Sequence, residues 1–325
     1  MDDTWMSIIL FIFMIFLYFH VQNQYKTSEF LEIYETDFMS NQELQNTLNL
    51  KQPVLFTLSD DYGILDKDIV HAHETIVIRD TRENIDSIVL NSESALGLIQ
   101  SDTNGHYFSD NNVFLTSHEY IQQKCQMLDP FLQPHYCVRT TYDVLFGSRK
   151  SYTPMVYHIH SQRFLVIQGN SKNSGIRIKM CPWKNTPLLN PIQNYEQFEF
   201  YSRMNMFSSK DQYNFKILDF VVNPGYILFI PPYWWYSIQY LDSSTCVTSI
   251  TYSTAMNCIS NVKEYAMYLY HQSLATPILP KMDVPTPGGV DVQSGQHETD
   301  VKQEKTDSLE KDISLTLIDD LKKCS

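Results

Sequence analysis

The sequence predicts a mainly β domain with flanking helices, preceded by one N-terminal transmembrane helix. Three stretches carry that prediction. Val221–Tyr240, VVNPGYILFIPPYWWYSIQY, reads as two strands joined by a proline corner: Tyr226–Ile230 is aromatic and β-branched, as strands prefer. Pro231 and Pro232 cannot donate to a ladder and so end that strand, and Tyr236–Tyr240 forms the next. Tyr152–Gly169, YTPMVYHIHSQRFLVIQG, alternates with period two, putting Val156, His158 and His160 on one face and Tyr157 and Ile159 on the other. Met6–Val21, MSIILFIFMIFLYFHV, carries no charge and approaches the roughly 17–25 residues that cross bilayer hydrocarbon.

In chain order, Asp2, Asp3 and Trp5 precede the apolar run, while Tyr18 and His20 close it as interfacial anchors. A cleaved signal peptide is the competing reading. The leading residues are acidic rather than basic, and no small-x-small cleavage site follows Tyr18. Lys26 after the helix, against the aspartates before it, favours a cytoplasmic C-terminal domain. Six scattered cysteines without metal or disulfide spacing, and no Asn-x-Ser/Thr sequon, agree with that side. The net charge of −13 argues against a nucleic-acid surface, and 43% hydrophobic residues support a packed core.

Ser40 is placed to cap a short helix with Glu43 three residues on, and Gln52-Pro53 precedes a strand, Val54–Leu58. Ile69–Arg79 and Ile85–Leu90 read as strands, Ser117–Lys124 as a helix, and Phe131–Arg139 as an irregular approach to Tyr142–Gly147. Gly175–Cys181 and Thr245–Tyr252 read as further strands, with Trp183–Phe215 an insertion between them. Val262, Ala266, Leu269, Tyr270 and Leu274 recur at helical spacing, predicting a closing helix packed by that stripe. Residues 281–325 lose their aromatics and gain Gly, Pro, Gln, Asp and Lys, the composition of a flexible acidic tail, with Leu315–Lys322 as a short helix for a partner.

The order PG, YILFIPP, YWW resembles the late strand pair of the JmjC-type oxygenases, especially the asparaginyl-hydroxylase-like branch. Thr153, Pro154, Phe164 and Gly169 match a second stretch of the same family. The resemblance implies a double-stranded β-helix, the cupin or JmjC-like jelly roll, over residues 28–275. It also implies a place for an Fe(II) triad at Val156, His158 and Tyr236. There the family has histidine, aspartate and histidine, so the ligands are not retained, and valine has no donor atom. For the 2-oxoglutarate carboxylate, the resemblance implies a lysine or arginine, with Lys172, Arg177 and Lys179 as candidates. Arg163 lies nearer the barrel and reads as a partner for a local carboxylate.

The expectation is therefore a membrane-anchored, non-catalytic cupin-like protein without cofactor, in a binding or structural role that admits a protein partner. The alternative is an Fe(II)/2-oxoglutarate hydroxylase with displaced ligands, His158 and His160 among them. A third reading is a small-molecule pocket lined by His160, Trp234, Trp235 and Tyr236. His158 and His160 are otherwise polar interior residues bonded to Tyr236 or a backbone carbonyl. Trp234 and Trp235, as neighbours on an extended segment, point to opposite sides, one buried between sheet and helix and the other near the pocket rim.

Overall fold

A computed structural model of the chain describes residues 2–58, 75–81, 87–110, 119–169, 174–207 and 214–274. These fall in one unit, Met1–His271, except for the first three residues of a second, Gln272–Ser325. Lys172, the acidic tail and the Leu315–Lys322 segment lie outside the described residues.

The apolar N-terminal run forms one helix, α1 (Asp2–Gln24), of which Trp5–Gln24 is long and apolar enough to cross a membrane. From Trp5 to Gln24 its side chains are mostly exposed, Phe11 at 66% and Ile9 at 65% among them. After β1 (Tyr34–Asp37), Ser40 caps α2 (Asn41–Leu48), its Oγ accepting from the Glu43 amide at 3.3 Å. β2 (Val54–Thr57) follows close to its predicted bounds, and β3 (Thr75–Asp80) and β4 (Ser87–Asn91) overlap the predicted strands, whose first residues, 69–74 and 85–86, lie outside the described residues. Asn91 then caps α3 (Ser92–Ser101), a helix not predicted above although its buried Ala95, Leu96 and Ile99 recur at helical spacing. β5 (Tyr107–Ser109), α4 (Glu119–Gln126) and α5 (Asp129–Leu132) lead to β6 (Cys137–Gly147). The approach segment is thus more ordered than its sequence reads. Asp129 at the head of α5 accepts from Tyr142 and Tyr252, each at 2.6 Å, and so fixes the turn against the sheet.

Tyr152–Gly169 is not one strand. It divides into β7 (Met155–Tyr157) and β8 (Gln162–Gln168), because the two belong to different sheets and the chain must cross between them. The alternation holds through Val156, and His158 and His160 lie beyond the end of β7. β9 (Ile176–Cys181) precedes a 3-10 turn (Trp183–Asn185), α6 (Thr186–Leu189), β10 (Ile192–Asn194) and β11 (Glu199–Ser202). β12 (Leu218–Val222) turns at Pro224-Gly225 into β13 (Tyr226–Ile230). Gly225 takes φ +91°, and the Tyr226 amide closes on the Asn223 carbonyl at 3.4 Å. Past the proline corner run β14 (Trp235–Tyr240), β15 (Cys246–Thr254), α7 (Ala255–Ser260) and α8 (Val262–Leu274).

Among the described residues the strands form two sheets. One has nine strands in the order β1-β2-β13-β8-β15-β6-β5-β3-β4, the other six in the order β10-β11-β7-β14-β9-β12. Three apolar layers hold them. Leu145, Leu165, Leu228, Ile230 and Val247 of the larger sheet meet Ile176, Ile178, Met180, Tyr236 and Ile238 of the smaller one, making the inner core. The outer face of the nine-stranded sheet buries Phe56, Ile76, Val144, Phe164 and Phe229 against α2, α3 and α5. The outer face of the six-stranded sheet buries Met155, Tyr157, Phe200 and Trp235. Alternation along each strand sends successive residues to opposite layers, as a two-sheet core requires.

The closing helix packs the opposite way from its sequence pattern. Tyr265 and Tyr268 of α8 meet the Phe198 ring at 5.2 and 5.1 Å, while Val262, Leu269, Tyr270 and Leu274 of the predicted stripe are exposed. Aromatic stacking on the polar-looking side outweighs the aliphatic periodicity.

Candidate functional site

The site is built where β7, β8 and the proline corner approach one another between the sheets. Val156 and Tyr236 are direct Cα partners across the antiparallel β7–β14 pair. Val156 packs against the inner core that contains Tyr236, so both belong to the interior between the sheets. Arg163 on β8 occupies that interior too. Phe164 faces the outer layer and Leu165 the inner one, which turns Arg163 inward. Its guanidinium carbon lies 5.8 Å from the Tyr236 ring centroid, and its Nε donates to Ser249 Oγ at 2.9 Å. Burial raises the Tyr236 phenol pKa, with Arg163 pulling it back only in part, so the ring is neutral.

His158 is buried at the end of β13, its Nε2 3.0 Å from the Ile230 carbonyl. His160 lies 6.2 Å away, ring to ring, in near-parallel stacking, with Nδ1 3.0 Å from Ser253 Oγ. Burial drives both imidazole pKa values down, and the Arg163 charge drives them further: His158 well below 6.5 and His160 to about 3. Both rings are neutral at pH 7.

The corner that positions these groups is fastened from several sides. Tyr233 adopts φ +63°, a left-handed conformation costly for an aromatic residue. It is held by its amide to the His158 carbonyl (2.9 Å) and by its hydroxyl to Asn261 Oδ1 (2.8 Å). Asn257 Nδ2 and Asn261 Nδ2 both donate to the Ile159 carbonyl, at 2.8 and 3.3 Å. Trp234 and Trp235 then diverge, Trp234 into the inner core and Trp235 into the outer layer of the six-stranded sheet. Both are fully buried, so neither stands at a rim. Trp235 Nε1 donates to Thr186 Oγ1 at 2.9 Å, whereas Trp234 Nε1 finds no partner.

Beside Arg163 lies a second charged group, which no motif in the sequence marks. Arg79 of β3, only 3% exposed, makes a bidentate pair with Glu199 of β11, at 2.9 and 2.5 Å. Its Nε is also 2.9 Å from Asp110 Oδ1, without hydrogen-bond alignment. Arg79 thus bridges the two sheets. Burial pushes the Asp110 carboxyl up to about 7 against the opposing pull of Arg79. The readable signal is a charged residue inside an apolar strand, Arg79 in TIVIRD and Asp143 in YDVLFG, where a solvated face would carry more polar neighbours. Of the other cations considered for a carboxylate ligand, Arg177 pairs with Asp219 at 2.8 and 2.7 Å on an exposed face. Lys179 Nζ donates to the Met206 carbonyl at 2.8 Å. Ile176, Ile178 and Met180 take the inward side of β9, so Arg177 and Lys179 face outward.

Val156, His158 and Tyr236, where the resemblance implies an iron triad, do not fit a divalent metal. Valine offers nothing, the His158 Nε2 is engaged by a carbonyl, and the Tyr236 phenol is kept protonated beside a guanidinium. Among the described residues no three His, Cys, Asp or Glu side chains gather as a metal site.

Fold and site together define a mainly β, two-sheet protein with an apolar N-terminal helix and buried charged and polar groups between its sheets. Comparison of the sequence with protein-family models and with curated proteins finds no match.

Proposed function

We propose that the chain is a membrane-anchored double-stranded β-helix domain of cupin or JmjC-like type that holds no iron and serves a binding or structural role. The strand order supports the fold reading. Eight strands divide into two groups of four, β13-β8-β15-β6 and β7-β14-β9-β12, and the chain passes back and forth between them. The observation that carries the functional reading is the pair at the triad position: a valine opposite a neutral tyrosine, with the Arg163 guanidinium over the ring. A fixed cation in that place opposes a metal cation as well as replacing its charge. A binding role draws support from Trp234 Nε1 and Tyr240 Oη. These are buried polar atoms without a hydrogen-bond partner among the described residues, each costing about 1–3 kcal/mol unless water or a ligand meets it.

The helix α1 supplies the anchor, and Lys26 after it favours the cytoplasmic side for the domain. Free thiols at Cys125, Cys137 and Cys181 fit a reducing compartment. Deleting residues 1–21 is expected to release the protein from carbonate-washed membranes. A mature N-terminus beyond Val21 would instead mark a cleaved signal.

The decisive experiment is metal analysis and 2-oxoglutarate turnover on the purified full chain in nanodiscs. Substoichiometric iron and no 2-oxoglutarate decarboxylation are expected. Stoichiometric Fe(II) coupled to decarboxylation would replace this reading with the displaced-ligand hydroxylase.

A further inference from the structure

We infer that the exposed apolar face running from α7 into α8, formed by Ile259, Val262, Ala266, Leu269 and Tyr270, rests on the bilayer surface beside α1, so that the domain lies against the membrane. The inference depends on α1 being a membrane anchor.

The face is open to solvent, with Ile259 exposed at the end of α7. At 100° per residue, Val262, Ala266, Leu269 and Tyr270 fall within an arc of about 100°. All are exposed, Val262 at 64% and Tyr270 at 58%. The other side of the helix makes the fold contacts: Tyr265 and Tyr268 against Phe198, and His271 stacked on Tyr195 at 5.8 Å.

What covers the face follows from where the spanning helix ends. Tyr25, the first residue after α1, donates its hydroxyl to the Ser260 carbonyl, and its ring lies 5.9 Å from that of Tyr233. Ser260 stands between Ile259 and Val262 in the chain. The apolar stripe therefore begins at the level where the spanning helix leaves hydrocarbon, and two exposed apolar surfaces meet at one joint. From there α8 extends about 20 Å, at roughly 1.5 Å per residue. An apolar stripe of that length at that depth matches a helix lying in the headgroup region.

Charge agrees. The chain carries −13 overall, yet the exposed side of α8 bears Lys263 and no carboxylate. Glu264 sits on the packed side near Tyr195 and Tyr233, whose phenol pKa values burial raises and the Glu264 charge raises further. A lysine at the edge of an apolar stripe reaches headgroup phosphates while its stem stays on the apolar surface.

The test uses the full chain in liposomes with acyl-chain-brominated lipid, which quenches tryptophan only within hydrocarbon reach. In a Trp5→Phe background, Leu269→Trp adds one reporter on the stripe and Val221→Trp one on an exposed strand. The Trp5→Phe protein alone supplies the baseline of Trp183, Trp234 and Trp235. The expected result is bromolipid quenching of the Leu269→Trp reporter comparable to that of Trp5 in the unaltered chain, and none at position 221. Quenching of Trp5 without quenching at position 269 overturns the inference while leaving the anchor intact. Quenching of neither overturns the anchor, and the inference with it. A blue-shifted reporter at position 269 that is indifferent to bromolipid shows the face covered by protein, a second copy or another partner, and also overturns it.

Discussion

The Arg163 guanidinium lies over the Tyr236 ring, 5.8 Å from its centroid, in the core between the sheets. That one cation faces Tyr236, Ser249, His158 and His160, and its charge helps to hold both imidazoles unprotonated. Replacing it separates two causes that act in the same direction. In Arg163→Met the His158 and His160 pKa values rise, yet both stay below 6.5, because burial is the larger cause and is retained. Proton NMR of the imidazole C–H signals against pH reads this directly. An unmoved His160 would show that Arg163 does not face it.

The same imidazoles set an acid limb for stability. Their folded pKa values lie below the unfolded 6.5, so below pH 6.5 the unfolded chain binds more protons. Stability from this source is full above about 6.5 and falls as pH drops toward the folded values, about 3 for His160. Asp110, raised to about 7, opposes the trend, since its neutral form in the fold gains as pH falls from about 7 to 4. Comparing His160→Gln with the parent isolates the imidazole. The stability lost by the variant at pH 7.5 shrinks by up to about 2 kcal/mol at pH 5, where the parent bears the cost of an uncharged His160 and the variant does not. Urea denaturation at the two pH values measures it, and equal losses would contradict it.

Arg79 predicts a larger effect. It neutralises Glu199 and Asp110 in a site only 3% exposed on the arginine side, joining β3 of one sheet to β11 of the other. Arg79→Met leaves buried carboxylates without their cation and is expected to cost about 3–5 kcal/mol. Adding Glu199→Gln recovers part of that loss, and a double-mutant cycle gives the coupling. Additive losses would mean the pair is not formed.

The fold was legible where local chemistry is decisive. Pro231 and Pro232 stop a strand wherever they stand, so Tyr226–Ile230 ends as read, and Ser40 caps α2 because its hydroxyl reaches the Glu43 amide. Less was legible where partners come from afar. The break after Tyr157 follows from β7 and β8 joining different sheets, which no local pattern states. Arg79 and Glu199 lie 120 residues apart, so the pairing that makes an arginine tolerable inside the fold was invisible in either segment alone. The aliphatic stripe of α8 was readable, but its direction was not, because Phe198 and Tyr195 claim the other face.

The two tryptophans of the corner differ in a measurable way. Both are fully buried, so alanine at either is expected to cost about 3–5 kcal/mol as a core cavity. Phenylalanine separates them. Trp235→Phe loses the hydrogen bond to Thr186 Oγ1 and strands that hydroxyl's acceptor, while Trp234→Phe removes a buried donor that had no protein partner. Trp234→Phe is therefore the milder change in thermal or urea unfolding. The reverse order would indicate that the Trp234 Nε1 is satisfied by something held in the core.

The proposed reading of Val156, His158 and Tyr236 as former ligand positions can be tested by placing ligands there. Val156 and Tyr236 are direct partners across a ladder, where opposing Cβ atoms lie about 4.5–5.5 Å apart. Two histidines placed there can reach one metal at about 2.1 Å from each nitrogen. The variant Val156→His, His158→Asp, Tyr236→His is therefore expected to acquire Fe(II) binding that the parent lacks, read by calorimetry under anaerobic conditions. Binding is weak in that variant, because Arg163 still presents its charge where the metal must sit. Adding Arg163→Gln removes the repulsion and tightens the affinity, so the order parent, triple, quadruple is the diagnostic. If the triple variant binds no better than the parent and Arg163→Gln adds nothing, the three positions do not converge on a common point. The reading of Val156, His158 and Tyr236 as a lapsed metal site then falls, whatever the strand order.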